Sequence, residues 1–350
     1  MLHGHASPRY TYVGGKRGDT KWDMPNYIMG MTQHDIGEES QFLFRTMLSL
    51  DWLTEGGYGY PLLLQTGETW QGKRLVDRQH PHDLFAELST TFSTKFSETF
   101  GGYLYLAYPG EPALGPPAFM HRQSAMSNPD APIGHHWQDA THITFGVITL
   151  GVNTENLRFE GSLFNGREPD ENRTDFDTLR IDSWSARVSW NPTTDLALQA
   201  SYGFLNDPER DNSNETLRTI SAIYTRNYAH DKWWSSTLVL SVKKDHHATT
   251  DQPSLLLESE AHYAGYGLYL RGEMVEKPQT ELGLAFDPTL LERVSQLTLG
   301  VNRRLFDLKG IDVDFGLQGT MYDIPTNISF IYGPNPLSFE VYVAIHPKEL

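Results

Sequence analysis

SLLLESEAHYAGYGLYLRGEMVEK, residues 254–277, alternates with period two on both sides of a turn at Ala264-Gly265. Before the turn, Leu255, Leu257, Ser259, Ala261 and Tyr263 share one face and Leu256, Glu258, Glu260 and His262 the other. After it, Tyr266, Leu268, Leu270, Gly272 and Met274 oppose Gly267, Tyr269, Arg271 and Glu273. Successive side chains of a strand point to opposite faces, so the stretch is a hairpin with its charges on one face. The same reading predicts sixteen strands, with fourteen the competing number. They lie near 9–14, 24–36, 40–53, 83–96, 98–108, 140–151, 154–165, 177–190, 194–205, 216–228, 232–243, 254–264, 266–277, 292–305, 310–321 and 337–347. Apolar parity switches near Asp182–Trp184, which predicts a bulge or a strand outrunning the apolar zone.

The gaps alternate short and long. Short ones carry Gly37-Glu38, Asn153-Thr154-Glu155, Asn191-Pro192-Thr193-Thr194, Ala264-Gly265 and Lys309-Gly310. The long ones are 15–23, 54–82, 109–139, 166–176, 206–215, 244–253, 278–291 and 322–336. A soluble sandwich has no reason to place every long loop at one end. A transmembrane antiparallel up-and-down barrel does, with short periplasmic turns and long outer loops. An even strand number puts both termini on the periplasmic side.

The composition agrees with a barrel. The 350 residues show no linker or low-complexity break, so 1–350 reads as one domain. Cysteine is absent, which excludes a disulfide scaffold and Cys-based zinc sites. No run of about 18 apolar residues exists for a spanning helix, and no signal peptide is visible, so the chain is expected to be a mature product. Mean hydropathy is −0.46, as expected where only alternate strand residues meet lipid. Trp52, Phe96, Tyr108, Trp184, Trp190, Tyr202, Phe204, Trp233, Trp234, Tyr263, Tyr266 and Phe306 fall toward strand ends, as interfacial girdles would. A net charge of −16 argues against a nucleic-acid partner. The expected partners are outer-membrane lipid and a small cationic solute or metal ion; the oligomeric state stays open between monomer and trimer.

Parity assigns a lumen. Asp51, Glu87, Glu160, Glu258, Glu260, Glu273, Asp312, Asp314 and Glu340 face inward with His262 and outnumber Arg45, Lys95, Arg158 and Arg271. An acidic ring in a low-dielectric wall favours cations, unless the charges pair across neighbouring strands.

Two long gaps are too aromatic and proline-ordered for plain surface loops. Gap 54–82 carries Tyr60-Pro61-Leu62-Leu63-Leu64 and runs into Asp77-Arg78-Gln79-His80-Pro81-His82-Asp83. Gap 109–139 carries Met120-His121, Met126 and Gly134-His135-His136-Trp137-Gln138-Asp139, followed by His142. Both are expected to fold into or over the barrel mouth. No cofactor is required by the sequence. His80, His82, His121, His135, His136, His142 and Met120 are candidate ligands for a transition-metal ion: copper where thioethers join, zinc for imidazole alone. The competing reading has these histidines anchoring loop backbone and stacking in a plugged mouth. A second His-rich spot, Asp245-His246-His247, reads as solvated, and the acidic run 168–171 lacks the spacing of a calcium loop. Triad-type residues occur (His82-Asp83, Ser124, Asp139, His142), but nothing sets a serine beside a histidine.

Met1-Leu2-His3-Gly4-His5, Gly59–Leu64, Asp77–Leu84, Gly134–His142 and Phe164–Asp170 together resemble a group of bacterial outer-membrane proteins described only as hypothetical. That resemblance covers about the first half of the chain. It implies an outer-membrane porin-like barrel and a signal peptide removed upstream, and no assigned reaction. The chain departs from the usual terminal aromatic of such barrels, ending Lys348-Glu349-Leu350. The expected function is a porin-like channel for passive diffusion, cation-preferring and related to a transition metal such as copper. The alternatives are an outer-membrane enzyme acting on lipid or peptide at the His-rich loops, a plugged ligand-binding barrel, and a soluble or surface β-protein that binds carbohydrate.

Overall fold

A computed structural model describes residues 1–210, 212–229, 231–246, 250–284, 287 and 289–348. Sixteen antiparallel strands close into one barrel. They are β1 (Leu2–Ala6 and Arg9–Val13), β2 (Thr20–Asp23 and Asn26–Ile36), β3 (Ser40–Leu48), β4 (Phe85–Lys95), β5 (Gly101–Ala107) and β6 (Val147–Asn153). Then follow β7 (Leu157–Phe164), β8 (Ser183–Trp190), β9 (Leu196–Leu205), β10 (Glu215–Ala229) and β11 (Lys232–Asp245). The ring ends with β12 (Asp251–Tyr263), β13 (Tyr266–Pro278), β14 (Leu291–Leu308), β15 (Ile311–Asp323) and β16 (Leu337–Pro347). It closes where β16 pairs with β1, from Arg9↔Tyr342 to Val13↔Ser338 and again at Ala6↔Ile345. Short turns lie at one end with the start of β1 and the end of β16, and long loops lie at the other.

Period two governs the wall. Leu257, Leu268, Leu299 and Phe315 are 46%, 65%, 50% and 37% exposed, while the intervening Glu258, Arg271, Thr298 and Asp314 are buried. A belt of exposed aliphatic and aromatic side chains around a polar interior inverts the soluble arrangement and suits a hydrocarbon solvent.

Four boundaries differ from the sequence expectation by five residues or more. The first strand reaches back to Leu2, because Pro8 interrupts β1 without ending it. Pro25 interrupts β2 beside it, and Ser7 N–H donates to the Pro25 carbonyl at 2.9 Å. The third strand ends at Leu48, and Asp51, expected on a lumen face, opens a short helical turn, Asp51–Thr54. Residues 140–146 are not strand: Ala140–His142 form a 3₁₀ turn before β6. Residues 177–182 are loop ahead of β8, which accounts for the parity switch there. A register shift of β4 against β3 also turns Ala86 inward, where alternation placed it on the lipid face.

The interior holds a plug. Within 54–82, Tyr60–Trp70 pairs with Lys73–Gln79 as a hairpin separate from the wall. Leu62, Leu63 and Leu64 are buried against Ile133 and Trp137 of the 109–139 segment and against Val275, Val294, Tyr322 and Tyr332. The barrel thus has a hydrophobic core made by two inward loops against one side of its own lumen.

Candidate functional site

The wall from β10 round to β1 grips the 109–139 segment with ions. Arg122 donates to both Glu258 oxygens (2.8 and 3.1 Å) and to Asp139 (2.7 Å). Arg271 donates to Glu258 at 2.9 Å and to the Asp130 carbonyl at 2.6 Å. Glu260 accepts the Ser127 N–H and hydroxyl, and Glu273 the Gly134 N–H. Arg9 pairs with Asp23 (2.6 Å), Asp130 (2.8 Å) and Glu340 (3.4 Å). The ammonium groups of Lys243 and Lys277 lie over the buried Trp137 ring, 4.3 and 4.7 Å from its centre. Buried charges of this kind need pairing to be tolerated, and here the plug supplies part of it, through Arg122 and Asp130.

The fourteen lumen residues expected from parity therefore divide. Glu258, Glu260, Arg271, Glu273 and Glu340 meet the plug or its ion pairs. His262 bonds Glu260 at 2.6 Å and stacks on Trp233. Asp312 and Asp314 pair with Arg304, and Asp314 also meets His346 at 3.5 Å. Asp51, from its helical turn, meets His82. Arg45, Glu87, Lys95, Arg158 and Glu160 line open space.

That space is a cavity of about 1320 Å³ against the wall from β2 to β8. Its lining includes Gly37–Glu39, Ser97–Phe100 and Asn153–Glu155 at the short-turn end. At its other extreme it meets loop residues Glu111–Ala113, Pro117, Met120, His121, His142 and Ile143. Glu87 pairs with Arg45 at 3.1 Å and accepts the Tyr105 hydroxyl at 3.0 Å. Glu160 pairs with Arg187 at 2.8 Å and accepts the Tyr103 hydroxyl. Burial pushes the Glu111 carboxyl up to about 7, with Glu87 adding to the effect against Arg187 and Arg45. Burial lowers His121 to about 4. Sequence reasoning missed Arg187, whose parity was hidden by the switch before β8, and Glu111, which no pattern marks. It also missed Met29, Met31 and Met47, although Met29 and Met31 share a strand face two residues apart.

Five of the candidate histidines converge at the junction of the two loops. Ring centres are 6.0 Å apart for His80–His82, 5.3 Å for His82–His142, 4.9 Å for His142–His135 and 6.3 Å for His135–His80. His136 lies 5.7 Å from His80 and 5.2 Å from His135. His121 lies on the cavity side, and Met120 lines both that cavity and a smaller pocket that also touches His80 and His82.

Each of the five presents Nδ1 to an oxygen acceptor. His82 meets Asp51, His135 meets Asp139 and His136 meets Glu168, each at 2.7 Å. His80 meets Glu68 at 3.1 Å, and His142 meets the Asp139 carbonyl at 3.1 Å. An acceptor at Nδ1 fixes the proton there and leaves Nε2 as the bare nitrogen. Among the described residues, the buried Nε2 atoms of His80, His82, His136 and His142 have no hydrogen-bond partner. An orphaned buried acceptor costs roughly 1–3 kcal/mol, so four in one place demand a physical reason.

Burial holds His80 and His142 well below the ordinary imidazole range, and lowers His135 and His136 despite nearby carboxylates. Burial opposes the charge of Asp139, yet Arg122 and His135 keep its carboxyl well below the usual range. Gly67 sits against the His136 ring: a Cβ there would fall 2.2 Å from Nε2, so only glycine leaves the ring its place.

Ser124 bonds Thr237 and Glu258 rather than a histidine. Asp170, Asp175 and Asp177 cluster in the loop before β8; His246 packs on Phe204, and His247 lies outside the described residues.

No family model and no curated protein matches the sequence. Among solved structures, the chain is similar over 99% of its length to the anion-selective porin from Comamonas acidovorans, with a TM-score of 0.60, 13% identity and 98% of that chain covered. It is similar over the same share to Salmonella typhi OmpF in complex with daunomycin (TM-score 0.59, 12% identity, 97% covered). A loop L8 deletion mutant of OmpT from Vibrio cholerae gives a TM-score of 0.54 at 8% identity, with 99% of each chain covered. At these identities the likeness is one of fold: the chain closes into an antiparallel barrel of the kind these solved porins form.

Proposed function

We propose that this barrel is a porin-like outer-membrane channel with its short turns and termini toward the periplasm. Its vestibule opens at the short-turn end and narrows on the 109–139 loop, which packs on the 54–82 hairpin, and it favours small cations. The observation that carries this reading is the 1320 Å³ cavity inside a closed sixteen-stranded wall. A barrel of that strand number has room for water, whereas eight strands are filled by side chains.

The preference for cations rests on the lining. Asp35, Glu38, Glu39, Glu87, Glu98, Glu111, Glu155 and Glu160 face Arg45, Lys95, Arg158 and Arg187. Two of the four cations are spent on Glu87 and Glu160. A low-dielectric wall with excess negative charge concentrates the field on cations. One fold relative is anion-selective, so the fold leaves the sign to the lining charges.

The test is conductance of the refolded protein in a planar bilayer under a KCl gradient. Steady single-channel steps with a cation-selective reversal potential are expected. A folded barrel that passes no current overturns the channel, and an anion-selective reversal overturns the preference.

A further inference from the structure

We propose that His80, His135 and His136 form a transition-metal site inside the barrel, flanked by His82 and His142, and that copper is its ion. One ring nitrogen from each of the first three lies within 4.8 Å of the others, and all three residues are buried. Metal–imidazole bonds of about 2.0–2.1 Å bring ligand nitrogens to roughly 3.3 Å in a tetrahedral shell. A bound ion would draw the three nitrogens together from the wider spacing they now have. The inference goes beyond conduction and stands whether or not the barrel passes current.

Two observations converge on a metal rather than on packing alone. The tautomers are set, because an oxygen acceptor at every Nδ1 leaves the other nitrogen bare. Carboxylate–histidine pairs of this kind orient and strengthen metal ligands. The bare nitrogens are also unpaired: a plug held only by hydrogen bonds would aim donors at them, and among the described residues His80, His82, His136 and His142 have none at Nε2.

The approach argues for copper. Met29, Met31, Met47 and Met120 line the vestibule beside His121 and His142, at its boundary with the plug. Thioethers are soft ligands that select Cu(I), and imidazole then serves copper in either oxidation state. The nearby carboxylates Asp51, Glu68, Asp139 and Glu168 each meet a ring Nδ1.

The experiment uses the whole folded barrel in detergent, stripped with a chelator and titrated with Cu(I), Cu(II) and Zn(II) against competing chelators. Folding is checked by the heat-dependent gel shift of intact barrels. The expected result is one copper per chain retained through desalting, with nitrogen hyperfine structure in the Cu(II) resonance spectrum. His80→Ala and His135→Ala are expected to abolish retention, and Glu168→Gln to weaken it about 10–100-fold. Should an alanine variant fail to fold, Glu168→Gln and the wild-type spectrum still decide. A folded wild type that retains no metal, or retention unchanged in the folded variants, overturns the site. Retention of zinc but not copper overturns the choice of ion.

Discussion

At the scale of single residues, the vestibule contains one carboxyl poised near neutral pH. Glu111 sits where the cavity meets the plug, and burial raises its carboxyl from 4.5 to about 7. It is mostly neutral at pH 6 and mostly charged at pH 8. Cation permeability over chloride should therefore rise severalfold across that interval, and Glu111→Gln should flatten the profile at its low-pH level. Reversal potentials from pH 5.5 to 8.5 measure this; a wild-type profile flat between 6 and 8 would refute the assignment. The linkage to stability has the opposite sense. A raised carboxyl favours folding below 4.5, and that contribution is lost as pH climbs toward 7.

At the scale of elements, the two inward loops determine how much lumen remains. The hairpin Tyr60–Gln79 pairs with itself, while β3 and β4 form their own ladder from Ser40↔Thr94 to Leu48↔Phe85. Replacing Tyr60–Gln79 with a short flexible linker should leave the wall folded and raise single-channel conductance severalfold. The same variant loses Glu68, the carboxylate on His80. Unchanged conductance in a folded deletion variant would mean that the hairpin does not limit the passage. These elements also show what the sequence could and could not reveal. The wall was legible because each strand repeats a local rule: Glu258 and Leu257 differ in solvent and adjoin in sequence. The convergence of His80 with His135 was not legible, because it depends on pairs such as Arg122–Glu258, 136 residues apart, which no local period encodes. The bulge that turns Ala86 inward and the 3₁₀ turn at Ala140–His142 broke the period for the same reason: tertiary packing overrode local alternation.

At the scale of the whole molecule, the exposed apolar belt makes a demand on depth. Tyr263 adjoins the turn between β12 and β13, and Leu257 lies six positions earlier in the same strand, on the same face. Six residues of antiparallel strand span about 20 Å, and a tilt near 40° leaves roughly 15 Å along the membrane normal. An apolar band about 25 Å tall then places Leu257 close to the midplane and Tyr263 at the interface. Leu257→Arg should cost about 2–4 kcal/mol and Tyr263→Arg about 0–1 kcal/mol. Urea titration of folding into liposomes measures both. The neighbouring Glu258 is already charged and fully buried, held by Arg122 and Arg271, so the expected penalty is one of facing and not of charge itself. Equal penalties at the two outward positions would mean that no hydrocarbon slab surrounds the belt. A steep difference requires such a slab, and orients the ring of short turns at its edge.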